Sequence, residues 1–134
     1  MTSPTDVARR FITEIFESGR ADSVEGLVTP DFESHPLPGR GPEVMKAAIE
    51  RVGPALSDVR FEIQDTMAQG DRVAVRLISS AIQTGPFMSM PATGRRYEIE
   101  EIHIFRIVGE RVAEHWHQMD GLGMLRQLGL MPGG

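Results

Sequence analysis

The stretch from residue 100 to residue 129 constrains the fold most, because its pattern predicts a strand, a tight turn, a second strand and a short helix. The two strands, predicted over residues 95–108 and 111–119, flank Gly109 and Glu110, and a glycine in the first position favours a two-residue type II′ hairpin. Three of the four histidines and the only tryptophan lie in this hairpin. Titratable groups in an otherwise apolar hairpin indicate either a pocket wall or a fully hydrated surface.

Helices are predicted in the first part of the chain. Ser3 is a suitable N-cap, and apolar residues that recur every four positions predict a helix over residues 4–18. A shorter helix is predicted over residues 21–28 and a third from Pro42 to about residue 52, while residues 31–35 suit a short strand between them. The helices of the chain thus precede most of its strands.

The apolar period changes from helical spacing to alternation at Val59. Residues 59–67 then predict a strand with one hydrated face, and residues 73–82, which are apolar on both faces, predict a central strand. A final short helix is predicted over Gly121–Leu128. This order predicts an α+β fold in which a curved antiparallel meander packs its helices on one face.

A segment rich in glycine and proline, residues 85–94, interrupts the meander. It carries Phe87, Met88 and Met90, and apolar side chains on a loop need a partner. Two interpretations stay open: the side chains pack on the edge of the core, or they form a lid over a ligand.

The overall composition limits the partners of the chain. Its 134 residues suit one core and a single domain over residues 1–134. A net charge of −5 without a basic block argues against nucleic acid as a partner. The chain has no cysteine, no signal-peptide pattern and no apolar run long enough to span a membrane. We therefore expect a cytoplasmic protein that binds neither nucleic acid nor membrane.

The length of the hairpin turn sets which side chains share a face. With a two-residue loop, His103 lies opposite Trp116, and cross-strand partners share a face. That face then carries polar and aromatic side chains, namely Glu101, His103, Phe105, Glu114, Trp116 and Gln118. Asp120 continues the row of Trp116 and Gln118 just past the strand. A three-residue loop would bring His115 and His117 to this face instead; we predict the two-residue loop.

The C-terminal sequence EIHIFRIVGERVAEHWHQMDGLGMLRQLG resembles the tail of the SnoaL-like polyketide cyclases, within the NTF2-like superfamily. The segment ADSVEGLVTPDFESH and the run F-x-x-x-P-A-T-G-R-R from Phe87 to Arg96 extend the resemblance over nearly the whole chain. The resemblance implies a cone-shaped α+β barrel, in which a strongly curved antiparallel sheet wraps around helices and leaves an apolar cavity. It also implies ring closure of an aromatic polyketide by intramolecular aldol condensation, without metal or cofactor.

The resemblance also implies site residues. The acid/base of the family is an aspartate just before the C-terminal helix, a position that Asp120 occupies, and family histidines correspond to His103 and His35. The residues alone leave other roles open: Asp120 suits a helix N-cap, and His103 suits a buried or dimer-face histidine bound to Glu101 or Glu114. Two features depart from the family, since the turn is Gly-Glu rather than Asp-Gly and Trp116 is typical of members with unassigned functions.

We therefore predict a cofactor-independent acid/base enzyme that acts on a small hydrophobic molecule, cyclic or polyketide-like. Asp120 is the predicted acid/base, and His103 and His35 orient or polarise the carbonyl. The candidate pocket-lining residues are Glu101, Phe105, Trp116, Gln118, Phe87, Met88 and Met90. His115 and His117 alternate on a strand, but no third ligand has a defined spacing, so no metal site is predicted.

Two other functions stay open at this stage. One is a hydrolase, dehydratase, isomerase or hydroxylation accessory on the same barrel, for example an epoxide-opening enzyme with Glu101 or Glu114 as the second acid. The other is a non-catalytic module that binds a small molecule or mediates dimerisation. Family members usually pair through the sheet, so the resemblance implies a homodimer or higher homo-oligomer.

Overall fold

The computed structural model describes residues 2–87 and 89–131 and confirms the α+β class. The helices are α1 (Pro4–Phe11), α2 (Val24–Leu27), α3 (Glu43–Val52) and α4 (Gly121–Leu128). The strands are β1 (Val28–His35), β2 (Leu56–Gln69), β3 (Arg72–Gln83), β4 (Arg96–Val108) and β5 (Arg111–Met119). No helix within the described ranges is both long enough and apolar enough to cross a membrane.

The first helix begins at a capping box. Ser3 Oγ accepts the Asp6 backbone N–H at 3.1 Å, and the Asp6 carboxylate accepts the Ser3 N–H at 3.2 Å. Beyond Phe11 the helix continues as a π-helical segment, Ile12–Glu17. Its i→i+5 hydrogen bonding suits side-chain contact between residues five apart, and the rings of Phe11 and Phe16 lie 5.5 Å apart. Both rings reach the inner face of the sheet.

The sheet has the strand order β1-β5-β4-β3-β2. The predicted antiparallel meander runs from β2 to β5, but β1 pairs with β5 in parallel. This parallel edge was not predicted. The whole meander separates β1 from β5 along the chain, so no hairpin turn forces the two strands into opposite directions. Ser34 of β1 thereby lies beside His115 of β5.

The hairpin between β4 and β5 has the predicted two-residue turn. Val108 pairs with Arg111, and Gly109 has a φ of 63°, a left-handed conformation that favours glycine at the first turn position. The turn alone would give a regular register along the whole hairpin.

A β-bulge at Ala113 changes that register. Ile107 pairs with Val112, but Arg106 pairs with Glu114, which leaves Ala113 as the extra residue of β5. A one-residue shift turns every later side chain to the other face of a strand. His103 consequently pairs with His117 and Ile104 with Trp116, so the predicted pairing of His103 with Trp116 is wrong.

The helices cover the inner face of the sheet. Phe11 of α1 contacts Phe32 and Phe105, with ring centroids 6.0 and 5.2 Å apart, and all three side chains are fully buried. A second cluster packs Met124 and Leu128 of α4 against strands β3 and β4. The first cluster places α1 directly over the histidines of the hairpin.

Candidate active site

A carboxylate and three imidazoles meet on the inner face of β4 and β5. Alternation along β4 turns Glu101 and His103 inward, and the bulge in β5 does the same for His115 and His117. We call these four residues the Glu101–histidine cluster. His103 and His115 are almost wholly buried, whereas the side chain of His117 keeps 24% of its surface exposed. His117 is thus the member that a small molecule can reach most easily.

Hydrogen bonds link the cluster into a chain. His103 Nε2 lies 2.9 Å from Glu101 Oε1, and His103 Nδ1 lies 2.8 Å from His115 Nε2. His115 Nδ1 lies 2.8 Å from Ser34 Oγ. His117 Nε2 also reaches Glu101 Oε1, at 3.0 Å, while Ser79 Oγ donates to Oε2. Both oxygens of this buried carboxylate are therefore occupied by donors.

This series of hydrogen bonds permits only one arrangement of protons when Glu101 is ionised and the buried imidazoles are neutral. A carboxylate only accepts, so His103 and His117 donate to it from Nε2. His103 Nδ1 then accepts from His115 Nε2–H, and His115 Nδ1 accepts from the Ser34 hydroxyl. Every described buried side-chain nitrogen or oxygen has a partner, which this arrangement requires.

The electrostatics of the cluster favour that arrangement. Burial raises the pKa of the Glu101 carboxyl, but hydrogen bonds from His103 and His117 outweigh it and lower the pKa to about 2. Burial lowers the pKa of His103, against the opposing hydrogen bond to Glu101. Burial, aided by the neighbouring histidines, holds the pKa of His115 well below its usual range. Near neutral pH, an anionic Glu101 therefore faces neutral His103 and His115.

The cluster lies at one end of an open pocket of about 570 Å³. Four polar residues of its wall lie together: Ser34, His35, His115 and His117. The remaining wall is mainly apolar and comprises Phe16, Pro36, Leu37, Met45, Ala48, Arg51, Val52, Pro86 and Phe87. A neighbouring pocket of about 270 Å³ shares Phe16, Met45, Ala48 and Val52. An apolar molecule with a few oxygens fits such a surface.

The ring of Phe16 packs over the imidazoles. Its centroid lies 5.3 Å from that of His103, 5.5 Å from that of His115 and 6.0 Å from that of His117. The rings of His103 and His117 are parallel to within 8° at a distance of 4.3 Å. This packing helps to bury the rings of His103 and His115, while His117 stays partly exposed to the pocket.

Comparison with known proteins identifies the family. The sequence profile of the SnoaL-like polyketide cyclases matches residues 6–128. The chain belongs to the SnoaL-like polyketide cyclase family. It is 33% identical to the aklanonic acid methyl ester cyclase DnrD of Streptomyces peucetius over 96% of this chain and 92% of the relative. It is 30% identical to the nogalonic acid methyl ester cyclase of Streptomyces nogalater, over 85% and 89% of the two chains.

Solved structures of the SnoaL-like type share the fold. TsrD of Streptomyces laurentii superposes with a TM-score of 0.85 at 32% identity, over 95% of each chain. IdmH of Streptomyces antibioticus superposes with a TM-score of 0.81 at 29% identity, over 95% of this chain and 99% of IdmH. The predicted NTF2-like barrel is therefore confirmed, and the relatives support a cyclase-type enzyme.

Asp120 lies apart from the histidines of this SnoaL-like chain. Its Oδ1 accepts the Gly123 N–H at 2.9 Å and caps α4, and its own N–H binds the Glu100 carbonyl at 3.2 Å. The residue is exposed and borders a shallow depression whose other lining residues are Ile78, Glu98, Ile99 and Glu100. The prediction that Asp120 continues the row of side chains on the face of His103 is wrong, because an N–H group of the first helical turn binds its carboxylate and holds it at the start of α4.

The bulge also places Glu114, Trp116 and Gln118 on the outer face, so their predicted position beside His103 is wrong. The ring of Trp116 stacks on His35 at 5.5 Å and lies 5.0 Å from the Arg72 guanidinium carbon. Gln118 is exposed. These side chains shape the outside of the sheet and not the pocket.

The other predicted site residues have mixed positions. Glu101 and His103 share a face and a hydrogen bond, as predicted for that face. His35 lines the pocket, although its Nε2 is bound to Glu114 Oε2 at 2.7 Å. Phe87 lines the pocket as well, and its backbone forms paired hydrogen bonds with that of Met90, which is half-buried. Phe105 is fully buried in the core beside Phe11, and Met88 lies outside the described residues.

Sequence reasoning missed the inward direction of His115 and His117 and the contributions of Ser34 and Ser79. One signal was available. Val112 and Ala113 are two consecutive apolar residues in an otherwise alternating strand, and both are buried. Such a doublet is typical of a bulge, in which two residues of one strand oppose one residue of its partner. Nothing comparable marks Ser34, because its partner lies 81 residues away.

Two groups of described residues bring three potential metal ligands together. One consists of Glu101, His103 and His117, and the other of Glu33, His35 and Glu114. In each group the ligand atoms lie within 4.8 Å of one another. The first group coincides with most of the Glu101–histidine cluster and opens on the pocket through His117.

Proposed function

We propose that this protein is an acid/base cyclase that closes a ring in a hydrophobic, polyketide-like molecule by intramolecular aldol condensation. The observation that carries the proposal is the imidazole of His117, which borders a mainly apolar pocket and is hydrogen-bonded to the buried Glu101 carboxylate behind it. The names of the relatives at 30–33% identity, all methyl ester cyclases of the aklanonic or nogalonic acid type, support the same reaction class.

His117 is the proposed base. Its Nε2–H donates to Glu101 Oε1, which fixes the ring, and its Nδ1 has no hydrogen-bond partner among the described residues. A neutral His117 therefore presents the Nδ1 lone pair, while the carboxylate stabilises the imidazolium that forms on proton uptake. The role is the one we predicted for Asp120, carried out here by an imidazole.

The reaction balances without a co-reactant. His117 Nδ1 removes a proton from a carbon next to a carbonyl, and the resulting enolate attacks a second carbonyl carbon of the same molecule. A carbon–carbon bond forms, and the oxygen of the attacked carbonyl becomes an alkoxide. The imidazolium returns its proton to that alkoxide. General acid–base assistance of this kind contributes roughly 10²–10⁴-fold, and holding both carbons together in the pocket supplies much of the rest.

One charged group of the pocket wall suits the developing oxygen charge: Arg51 adds a positive charge to it. His35 also borders the pocket, but its ring stacks on Trp116 and its Nε2 is bound to Glu114, so we assign it no role in polarising the carbonyl. The Ser34 hydroxyl is bound to His115 and helps to hold that ring in place. Positioned donors are more effective in an apolar pocket than in water, because the surroundings screen them less.

The contacts favour cyclisation over epoxide opening, for which Glu101 or Glu114 was the candidate second acid. Glu101 is ionised and accepts from three side chains, so it has no proton to donate. Glu114 is bound to His35 and Arg106, and hydrogen bonding to His35 is the main reason that its pKa is lowered. Neither carboxylate borders the pocket. Neither Glu101 nor Glu114 can therefore serve as the second acid for epoxide opening.

Pairing of two copies through the sheet belongs to the same proposal. Ile102, Ile104 and Val108 point outward from β4 and are 53%, 38% and 52% exposed. Such a row of exposed apolar side chains on a sheet suits burial against a second copy. Light scattering at two concentrations tests this part, and a strictly monomeric chain at both would contradict it.

The kinetic test compares two variants on an open aromatic polyketide methyl ester of the kind named for the relatives. His117→Asn removes the imidazole base, and kcat should fall by roughly 10²–10⁴-fold. Asp120→Asn is the matched control, since the change also converts a titratable side chain into an amide, and kcat should stay within a few-fold of wild type. A large loss in Asp120→Asn with little change in His117→Asn would overturn the assignment of the base.

A further inference from the structure

We propose that Glu101, His103 and His117 form a binding site for one divalent transition-metal ion, and that the bound ion switches the cyclase base off. The inference goes beyond the proposed reaction, which uses no metal, and the binding part does not depend on that reaction. Two imidazoles and one carboxylate are a common ligand set for Zn²⁺, Fe²⁺ and Co²⁺.

The spacing of the ligand atoms suits an ion. Glu101 Oε1 lies 2.9 Å from His103 Nε2 and 3.0 Å from His117 Nε2. Two bonds of roughly 2.1 Å at right angles separate their ligand atoms by about 3.0 Å. The parallel rings of His103 and His117 aim both nitrogens at the same oxygen. Two of the three separations therefore already match those of adjacent ligands on one ion, and all three ligand atoms lie within 4.8 Å of one another.

The surrounding hydrogen bonds can support a metal-bound state. A histidine that binds a metal usually donates its other ring N–H to a neighbour. If His103 Nε2 binds the ion, its Nδ1–H donates to His115 Nε2, and His115 Nδ1–H donates to Ser34 Oγ, over the same two contacts of 2.8 Å. Ser79 keeps its hydrogen bond to the second carboxylate oxygen. When the two hydrogen bonds from His103 to His115 and from His115 to Ser34 reverse their donor and acceptor, each of these nitrogen and oxygen atoms still has a partner.

Charge distinguishes this site from the second group of candidate ligands. Around Glu101 the nearest titratable partners are histidines, which bind metals as neutral rings. In the group of Glu33, His35 and Glu114, Arg40 binds Glu33 at 3.0 Å and Arg106 binds Glu114 at 3.3 Å. Two guanidinium groups already neutralise those carboxylates and repel an incoming cation. The buried group is therefore the stronger site.

The position of His117 determines both how the metal ion reaches the site and how the bound ion affects the proposed reaction. It is the partly exposed ligand and borders the pocket, so the free coordination positions of the ion face the substrate space. Binding through Nε2 moves the proton of the neutral ring to Nδ1. The nitrogen that would remove a proton from the substrate then already carries one, and the ion acts as an inhibitor of the cyclase.

Titration of the metal-free protein with Co²⁺ tests binding by its visible absorption, and calorimetry with Zn²⁺ gives the stoichiometry. We expect one ion per chain. His117→Asn removes a ligand, and its Kd should rise by more than the roughly 100-fold that loss of an outer hydrogen-bond partner can cost. His35→Asn is the matched control, a histidine in the other candidate group, and should bind as wild type does. Glu101→Gln should behave like His117→Asn if it folds, and the quarter-exposed His117 gives a usable variant if it does not.

Three results would overturn the inference: no Co²⁺ spectrum from wild type at about 1 mM metal, unchanged binding by His117→Asn, or loss of binding in His35→Asn alone. Activity is measured separately. A cyclase that binds Zn²⁺ and keeps its full rate would contradict only the inhibitory part. An inactive chain that binds Co²⁺ through His117 would contradict the proposed cyclase and leave the metal site standing.

Discussion

Acid should destabilise the fold through its buried imidazoles before most carboxylates titrate. Burial lowers the pKa of His115 well below its usual range, and that of His103 in the same direction. In the unfolded chain both rings titrate near their ordinary value of about 6.5. Below that pH the two rings bind protons in the unfolded state but not in the folded state. The stability from these neutral rings is therefore complete above about pH 6.5 and is lost as the pH falls toward the folded-state values.

The size of the effect follows from linkage. Each imidazole that stays neutral in the folded state lowers the free energy of unfolding by about 1.4 kcal/mol for each pH unit of acidification within that window. Between about pH 7.5 and about pH 5.5, His115 alone should lower the free energy of unfolding by about 1.4 kcal/mol, and His103 should lower it by up to the same amount again. A second loss follows at lower pH. Burial raises the pKa of Glu101, but the histidine hydrogen bonds lower it to about 2, so its contribution, on the order of 3 kcal/mol, disappears between about pH 4.5 and about pH 2.

Urea unfolding followed by the fluorescence of Trp116, the only tryptophan, measures these changes at a series of pH values. His115→Gln should be less stable than wild type at about pH 7.5, but its loss of stability down to about pH 5.5 should be smaller by about 1.4 kcal/mol. Ser34→Ala is the control, because it removes the hydrogen-bond partner of His115 and leaves the imidazole. A wild-type stability that is constant or rises on acidification, or an equal slope in His115→Gln, would refute the reasoning.

Three further changes have defined outcomes. Deleting Ala113 removes the extra residue of the bulge but keeps the pairing of Phe105 with His115 and of His103 with His117, so both imidazoles should stay inward and Co²⁺ binding should be retained; loss of Co²⁺ binding in a folded variant would contradict this register. Ser79→Ala leaves one Glu101 oxygen without its donor and should cost about 1–3 kcal/mol at neutral pH, whereas an unchanged urea midpoint would mean that the bond contributes nothing. Asp120→Ala removes the cap of α4 and should lower the unfolding free energy by about 1 kcal/mol, and no loss would contradict a capping role.

Local patterns in the sequence were sufficient for most of the architecture. The bounds predicted for β5 and α4 agree with the structure, and the two-residue turn was correct, because alternation, capping and glycine preferences act over a few neighbouring residues. The pairing of Glu101 with His103 on one face also follows from alternation within β4 alone. These features require no knowledge of distant parts of the chain.

The candidate site depended on contacts that no local pattern specifies. A bulge of one residue reverses the faces of His115, Trp116 and His117, and whether Ala113 is accommodated depends on the packing of the sheet under α1. The parallel pairing of β1 joins Ser34 to His115 across 81 residues. Asp120 was expected in the pocket because its position before the last helix resembles that of the family acid, but the same position also supplies the cap that the helix needs.

The most direct test of the Glu101–histidine cluster is the ¹⁵N chemical shifts of the imidazole nitrogens in metal-free protein near neutral pH. His103 and His115 should both be neutral and protonated at Nε2, with Nδ1 of each acting as a hydrogen-bond acceptor. A positive charge on either ring, or a proton on Nδ1 of either, would contradict the hydrogen-bonded chain that ends on an ionised Glu101.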